Sequence, residues 1–312
     1  MSFATDVKQE VALKEMEGND ARAELSALLQ MTSSLSLSSR GMAIAVTVEN
    51  ASVARVITRL VKDRYGAEIE LYVKRKMNLK KNRVYGIRIV TNAKEILEDT
   101  GLYSKRGLLD RPLKKIVQSD SNARAYLAGA FLASGSINPP EKTNYHLEIT
   151  AAADAQAELL QELMARYGIK AKIIERRNRK IVYVKAAERI ADFLRIIEAS
   201  QAVLKYENIR ISRDFTNQIV RLNNMDVANE IKTQAASAKQ LEDIRILEEN
   251  DRIRFLDQKL LDVVRLRKEN PYASLKELQA IYEKETGTAV SKSGMKHRFD
   301  KLRELAEKVS AQ

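Results

Sequence analysis

The feature that most constrains this chain is a repeat with a constant offset. The segment Leu25-Ser-Ala-Leu-Leu-Gln-Met-Thr-Ser33 has a counterpart in Leu127-Ala-Gly-Ala-Phe-Leu-Ala-Ser-Gly135, and Tyr65-Gly66 has one in Tyr167-Gly168. Each second copy lies 102 residues after the first. An offset that stays fixed across a helix, a hairpin and another helix implies two similar subdomains, able to pair about a pseudo-two-fold axis.

Hydrophobic periodicity fills in each copy. A leading helix is predicted over about Thr5 to Met16 and a motif helix over about Asn19 to Gln30. Leu35 and Leu37 alternate with serines, and Ile44, Val46 and Val48 alternate with small or polar residues, the period of strands. Ala51 to Tyr65 reads as an amphipathic helix stopped by Gly66. Ile69, Leu71 and Val73 begin a hairpin that returns over Val84 to Val90, and a short helix begins at Ala93. The second copy shows a helix over 121–133, a strand with Leu147 and Ile149, a helix over 153–166, strands around Ile173 and Tyr183, and a helix over 186–198. The order α-β-β-α-β-β-α is expected in both. Neither Gly nor Pro occurs between Ala199 and Asn250, so 200–250 reads as a helical connector. The expected division is a first repeat over 1–115, a second over 116–199, the connector, and a C-terminal unit over 251–312.

Leu127 to Gly135 resembles the LAGLIDADG signature of homing endonucleases. In that motif small residues on one face let two helices approach closely, since interaxial distance follows side-chain size at the contact. The resemblance puts an acidic metal ligand at the eighth position. Here that position is Thr32 in the first copy and Ser134 in the second, while the sixth is Gln30 and Leu132. Magnesium-assisted phosphodiester cleavage needs carboxylate oxygens around a hard cation. Neither copy supplies one there, so neither a metal nor a catalytic residue is expected.

Charge points to a polyanion. Lys and Arg total 54 against 42 Asp and Glu, a formal net charge of +12, which favours a polyanionic partner without specifying sequence. The absence of Cys excludes a disulfide framework and thiolate metal sites, and His146 and His297 are too few for a His-rich one. No apolar run approaches a membrane span and no signal peptide is evident. A cytoplasmic, nucleoid-associated protein without membrane contact or cofactor is expected.

The basic residues cluster. Lys74, Arg75, Lys76, Lys80, Lys81, Arg83 and Arg88 fall between Leu71 and Val90 with no acidic residue among them, and Arg176, Arg177, Arg179 and Lys180 occupy the corresponding turn of the second copy. One such hairpin is an ordinary solvated tip. Two equivalent ones in a basic protein favour phosphate contacts from ribbons straddling a duplex.

The C-terminal unit reads as three helices. Leu256, Leu260, Val263, Val264 and Leu266 face inward from the first, and Ser274-x-x-Glu277 is a capping box opening the second, with Leu275, Leu278 and Ile281 inward. Ser291 caps the third, whose inner face is Met295, Phe299, Leu302 and Ala306 and whose outer face carries Lys292, Ser293, Lys296, His297, Arg298 and Lys301. A recognition helix of a helix-turn-helix (about 274–308 here) reads bases with its N-terminal residues. Lys292 and Lys296 could bond guanine O6 and N7, Ser293 a base edge or phosphate, and His297 a phosphate. The connection from Glu283 to Val290 is long for a minimal motif.

The whole chain resembles the WhiA family of bacterial sporulation and cell-division regulators. The resemblance rests on the degenerate LAGLIDADG pair, on Val220-Arg-Leu-Asn-Asn-Met-Asp-Val-Ala-Asn229, and on Asn270-Pro-Tyr-Ala-Ser-Leu-Lys-Glu-Leu278 followed by Val290-Ser-Lys-Ser-Gly-Met-Lys-His-Arg298, in family order. In the second stretch Asn224, Asp226 and Asn229 match the family while Met225 stands where Cys is usual; helix capping is the simplest role for its Asn and Asp. The resemblance implies an α+β fold, a two-repeat LAGLIDADG homing-endonuclease-like domain followed by an all-α helix-turn-helix domain. It further implies a non-enzymatic, sequence-specific transcription regulator of cell division, chromosome segregation or sporulation genes. Double-stranded DNA is the expected partner of a monomer with internal pseudo-two-fold symmetry, with another transcription regulator or RNA polymerase as a second. Two other classes stay open: an active homing-type nuclease or RNA maturase, and a protein-binding scaffold that touches DNA only through the helix-turn-helix.

Overall fold

The computed structural model describes residues 2–38, 41–75, 83–142 and 144–310. The chain divides into two compact units, Met1–Arg213 and Asp214–Gln312.

The first unit opens with helix α1 (Phe3–Leu13), started by the Ser2 hydroxyl on the Thr5 amide. The motif helix α2 (Gly18–Thr32) follows, then strands β1 (Ser33–Ser38) and β2 (Gly41–Val48). Helix α3 (Ala51–Tyr65) is capped by the Asn50 side chain on the Ser52 amide, and Gly66 ends it in the left-handed conformation, φ 57°. Strands β3 (Ile69–Arg75) and β4 (Arg83–Ile89) and helix α4 (Ala93–Asp99) complete the first copy. Strands β5 (Tyr103–Ser104) and β6 (Gly107–Leu108) form a small hairpin, and a 3-10 turn over Lys114–Val117 leads into the second copy. That copy is α5 (Asp120–Ser134), β7 (Gly135–Ile137), β8 (Leu147–Ala151), α6 (Asp154–Arg166), β9 (Lys172–Arg176), β10 (Arg179–Val184) and α7 (Ala187–Ile196).

The two sheets have the same antiparallel topology, β1-β2-β4-β3 and β7-β8-β10-β9. The repeat in the sequence is therefore a repeat in space, in the expected element order. Alternation sets the buried faces: Ile44, Val46 and Val48 on β2 and Leu147, Ile149 and Ala151 on β8 point into the core. Strand β7 is only three residues long and begins at Gly135, which leaves too little periodicity to read.

Helices α2 and α5 pack side by side at the centre of one continuous core. They approach so closely that a Cβ on Gly129 would sit 2.4 Å from the Glu24 carbonyl oxygen and 3.1 Å from the Ala27 methyl. Tyr126 reinforces the contact by donating to the Gln30 side chain (2.6 Å). Glu24, on α2, is completely buried, with no hydrogen-bond partner for either carboxyl oxygen.

Helix α8 spans Ser200–Glu249, fifty residues without interruption. Its two ends belong to the cores. Within the first unit Glu10 of α1 accepts from the Gln201 and Ala202 amides (2.7 and 3.0 Å), and Tyr206 is buried against the rings of Phe3 and Tyr145. Within the second unit Ile244 and Leu247 join the core made by α9 (Gln258–Glu269), α10 (Leu275–Thr286) and α11 (Lys292–Ser310). The stretch expected to be a plain connector thus supplies core residues at both ends. Val220 to Asn229 lies in the middle of α8, so its Asn and Asp cap nothing; all ten side chains are exposed.

Candidate nucleic-acid interface

At the eighth motif position of both helices, a hydroxyl faces a backbone carbonyl. Thr32 donates to the Leu28 carbonyl (2.6 Å) and Ser134 to the Thr150 carbonyl (2.7 Å), so both hydroxyls are spent on backbone. Gln30, at the sixth motif position, donates to the Asp110 carbonyl (2.8 Å). Among the described residues no group of three or more His, Cys, Asp or Glu is placed to hold a metal ion. Neutral hydroxyls hold a hard divalent cation poorly. Purified protein incubated with duplex DNA and magnesium or manganese is therefore expected to leave the DNA intact. Nicking that survives further purification and disappears on mutating one nearby carboxylate would contradict this.

The hairpin tips differ in how much charge they leave available. At the first, Lys74, Arg75 and Arg83 are exposed, with the Lys74 ammonium over the Tyr72 ring at 4.8 Å, while Arg88 is drawn to Glu70 at 3.5 Å. Lys76, Lys80 and Lys81 lie outside the described residues. The second tip is a two-residue turn, Arg177 and Asn178 at φ 53° and 58°, flanked by the Arg176–Arg179 pair. Both turn residues are left-handed, the backbone that matches strand twist in tight hairpins. Arg176, Arg177 and Arg179 project into solvent. Lys180 does not belong with them. It is half-buried and lies between Glu175 (2.9 Å) and Asp154 (3.2 Å), carboxylates that hold its pKa above the usual lysine value and compensate its charge.

In the second unit the helix-turn-helix is built as its local signals dictate. The Ser274 hydroxyl accepts from the Glu277 amide and the Glu277 carboxylate accepts from the Ser274 amide (2.7 Å), closing the capping box. Helix α10 continues to Thr286, where Gly287 ends it at φ 67°. That is further than the sequence suggested, and it leaves only Gly287 to Ser291 as the connection. The Ser291 hydroxyl then accepts from the Gly294 amide (3.0 Å) and starts α11. Met295, Phe299, Leu302 and Ala306 are buried as expected. Lys292, Ser293, Lys296 and His297 stand exposed on the first turns of α11. Lys301 is also exposed, 4.0 Å from Asp257.

Arg298 departs from the outer face expected for it. Its guanidinium lies over the Tyr282 ring at 4.6 Å and its Nη1 is buried without a hydrogen-bond partner, so it packs α11 against α10. Sequence reasoning missed Arg267 altogether. This side chain is 1 % exposed, donates to the Ala273 and Asn270 carbonyls (2.6 and 3.2 Å) and stacks over Phe299 at 5.3 Å. Burial lowers its pKa to about 10. It lies four after Val263 and three after Val264, on the inner face of α9, and that spacing is the signal that separates it from the surface arginines around it. No helix among the described residues is long and apolar enough to cross a membrane.

Comparison with known proteins agrees with this architecture. Residues 19–103 match the model of the WhiA N-terminal LAGLIDADG-like domain, residues 123–216 the WhiA LAGLIDADG-like domain, and residues 219–306 the WhiA C-terminal HTH domain. A protein of Staphylococcus carnosus described as "Probable cell division protein WhiA" is 44% identical over 310 residues, covering 99% of this chain and 98% of that one. One of the same description from Ligilactobacillus salivarius is 42% identical over 311 residues, 100% of this chain and 98% of the other. The crystal structure of full-length DUF199/WhiA from Thermatoga maritima superposes with a TM-score of 0.61 at 22% identity, covering 99% of each chain. Two degenerate LAGLIDADG-like repeats, a C-terminal helix-turn-helix and full-length identity above 40% place the chain in the WhiA family.

Proposed function

We propose that this chain is a sequence-specific DNA-binding regulator of transcription, without nuclease activity, acting on cell division, chromosome segregation or sporulation genes. The observation that carries the reading is the exposed start of α11, where Lys292, Ser293, Lys296 and His297 project from a rigid helix-turn-helix core. The relatives' description as probable cell division proteins supports the biological setting. The protein acts in the cytoplasm on the nucleoid, as a monomer, with double-stranded DNA as its ligand and another transcription regulator or RNA polymerase as a second partner. The helix-turn-helix chooses sequence. The hairpin cations Lys74, Arg75, Lys76, Lys80, Lys81, Arg83, Arg176, Arg177 and Arg179 add affinity through phosphates, which carry no base information. Lys180, already ion-paired, and Arg298, turned inward, are left out of both sets.

Binding measured over a salt series on specific and random duplexes tests this division. Replacing Lys292 and Lys296 by Ala should reduce discrimination by about 1–3 kcal/mol for each true base contact. Replacing Lys80, Lys81 and Arg83 should weaken both duplexes alike and flatten the salt slope by nearly one unit per lost phosphate contact. If the hairpin variant keeps its affinity and slope, the two-repeat unit does not touch DNA and serves as a protein-binding scaffold instead.

A further inference from the structure

The first turn of α3, the start of α1 and the start of β4 enclose an open groove of about 810 Å³. Thr5, Lys8, Glu49, Arg55, Arg83 and Gly135 are among its lining residues. Three cations from three different elements thus line the groove together with one carboxylate. Among the described residues none of the three is ion-paired. Arg55 donates to the Ser52 hydroxyl (2.9 Å), and the Lys8 ammonium lies over the Phe131 ring at 5.9 Å. Arg55 and Arg83 are exposed, while Lys8 is half-buried with Glu49 acting on it only in part; burying a cation is costly, and a further anion beside it offsets that cost.

The pseudo-symmetry supplies a control inside the molecule. Gly135 is the counterpart of Ser33, and Ala152 and Ala153 are the counterparts of Asn50 and Ala51, each pair 102 residues apart. Ser33, Ala152 and Ala153 line a smaller cavity of about 220 Å³, walled by Leu29, Leu97 and Leu102 with no Lys or Arg among its lining residues. The fold closes that position with leucines in one copy, so packing does not require cations in the other.

We propose that the groove formed by Lys8, Arg55 and Arg83 binds a phosphate group. Guanidinium forks match phosphate oxygens in pairs, and an ammonium supplies a point charge between them. The phosphate comes either from a DNA backbone or from a small phosphorylated molecule, and the experiment separates the two. This goes beyond the helix-turn-helix reading, which is scored by base discrimination at Lys292 and Lys296; Arg83 is shared with the hairpin set of that reading, so the pyrophosphate arm, which needs no duplex, decides this site by itself.

Lys8 reports on the site directly. Burial lowers its pKa to about 8, with Glu49 opposing the shift. In the full chain with ¹³Cε-labelled lysine, Lys8 is identified by the signal lost in Lys8→Arg. Its titration is followed alone, with inorganic pyrophosphate, and with a random-sequence duplex, all at one ionic strength. Pyrophosphate should raise the Lys8 midpoint by a pH unit or more, and the Arg55→Gln/Arg83→Gln double variant should lose more than half of that rise. A matching rise with the duplex identifies the backbone as the source; a rise with pyrophosphate alone identifies a small phosphorylated molecule. A midpoint unmoved by either ligand, or a rise that persists in the double variant, overturns the proposal.

Discussion

Gly129→Leu is expected to unfold the two-repeat unit, and Gly129→Ala to destabilise it by about 1–3 kcal/mol, the usual range for overpacking. Alanine is the better helix former by up to about 1 kcal/mol, so propensity alone predicts the opposite sign. Packing decides because the atom a Cβ would meet, 2.4 Å away, is the Glu24 carbonyl oxygen, backbone that cannot rotate aside. Any relief requires α2 and α5 to separate, and those helices hold the two copies together. Leucine adds three more carbons to the same clash. Gly294→Ala, in α11, is the control. Its Cβ would meet only the Val290 methyl and the Ser291 hydroxyl, at 3.1 and 3.3 Å, so the change should be near neutral or stabilising. Urea unfolding followed by circular dichroism measures all three. Gly129→Ala at or above wild-type stability would show that the helices do not need this close approach.

What could be read in the sequence was what is local or repeated. The bounds of α3 follow from Asn50, an apolar stripe and Gly66, all within seventeen residues. The capping box at Ser274 and Glu277 and the Ser291 cap are likewise local and appear as expected. The twin sheets followed from the constant offset, since one chain pattern used twice gives one topology twice. Positions fixed by distant partners were not legible. Lys180 is compensated in part by a distant partner, Asp154 of α6, although Glu175, directly across the same hairpin, was a local signal that the tip reading passed over. Arg298 looked solvent-facing as a charged residue, although it lies three after Met295 and four before Leu302, the inner side of the helix. That spacing was the available signal. Lys8 and Arg55 sit on separate helices with no local motif, and only the fold brings them to one groove.

Glu24 should make the stability of this protein fall as pH rises from about 4.5 to about 8. Burial raises its folded-state pKa to about 8, with Arg59 and Lys14 pulling the other way. Those two cations are already engaged: Lys14 is paired with Glu198, and Arg59 reaches the Lys14 carbonyl (3.1 Å) and Glu15 (3.7 Å). In the folded chain Glu24 therefore stays protonated across this window, whereas in the unfolded chain it ionises near its ordinary value. The folded state binds the extra proton, so stability declines by about 1.4 kcal/mol per pH unit, up to about 5 kcal/mol across the window. Full stability is present below the unfolded pKa and is lost as pH approaches the folded one. Lys8 contributes with the opposite sign and above pH 8, because its folded pKa is lowered, so the two effects separate. Glu24→Gln keeps the shape and removes the ionisable proton. The variant should match wild type near pH 4.5, exceed it by several kcal/mol at pH 8, and lack the decline between. Urea unfolding of both proteins at pH 5, 6.5 and 8 measures this. Parallel pH profiles would mean that Glu24 is ionised in the folded protein, with Arg59 and Lys14 outweighing its burial.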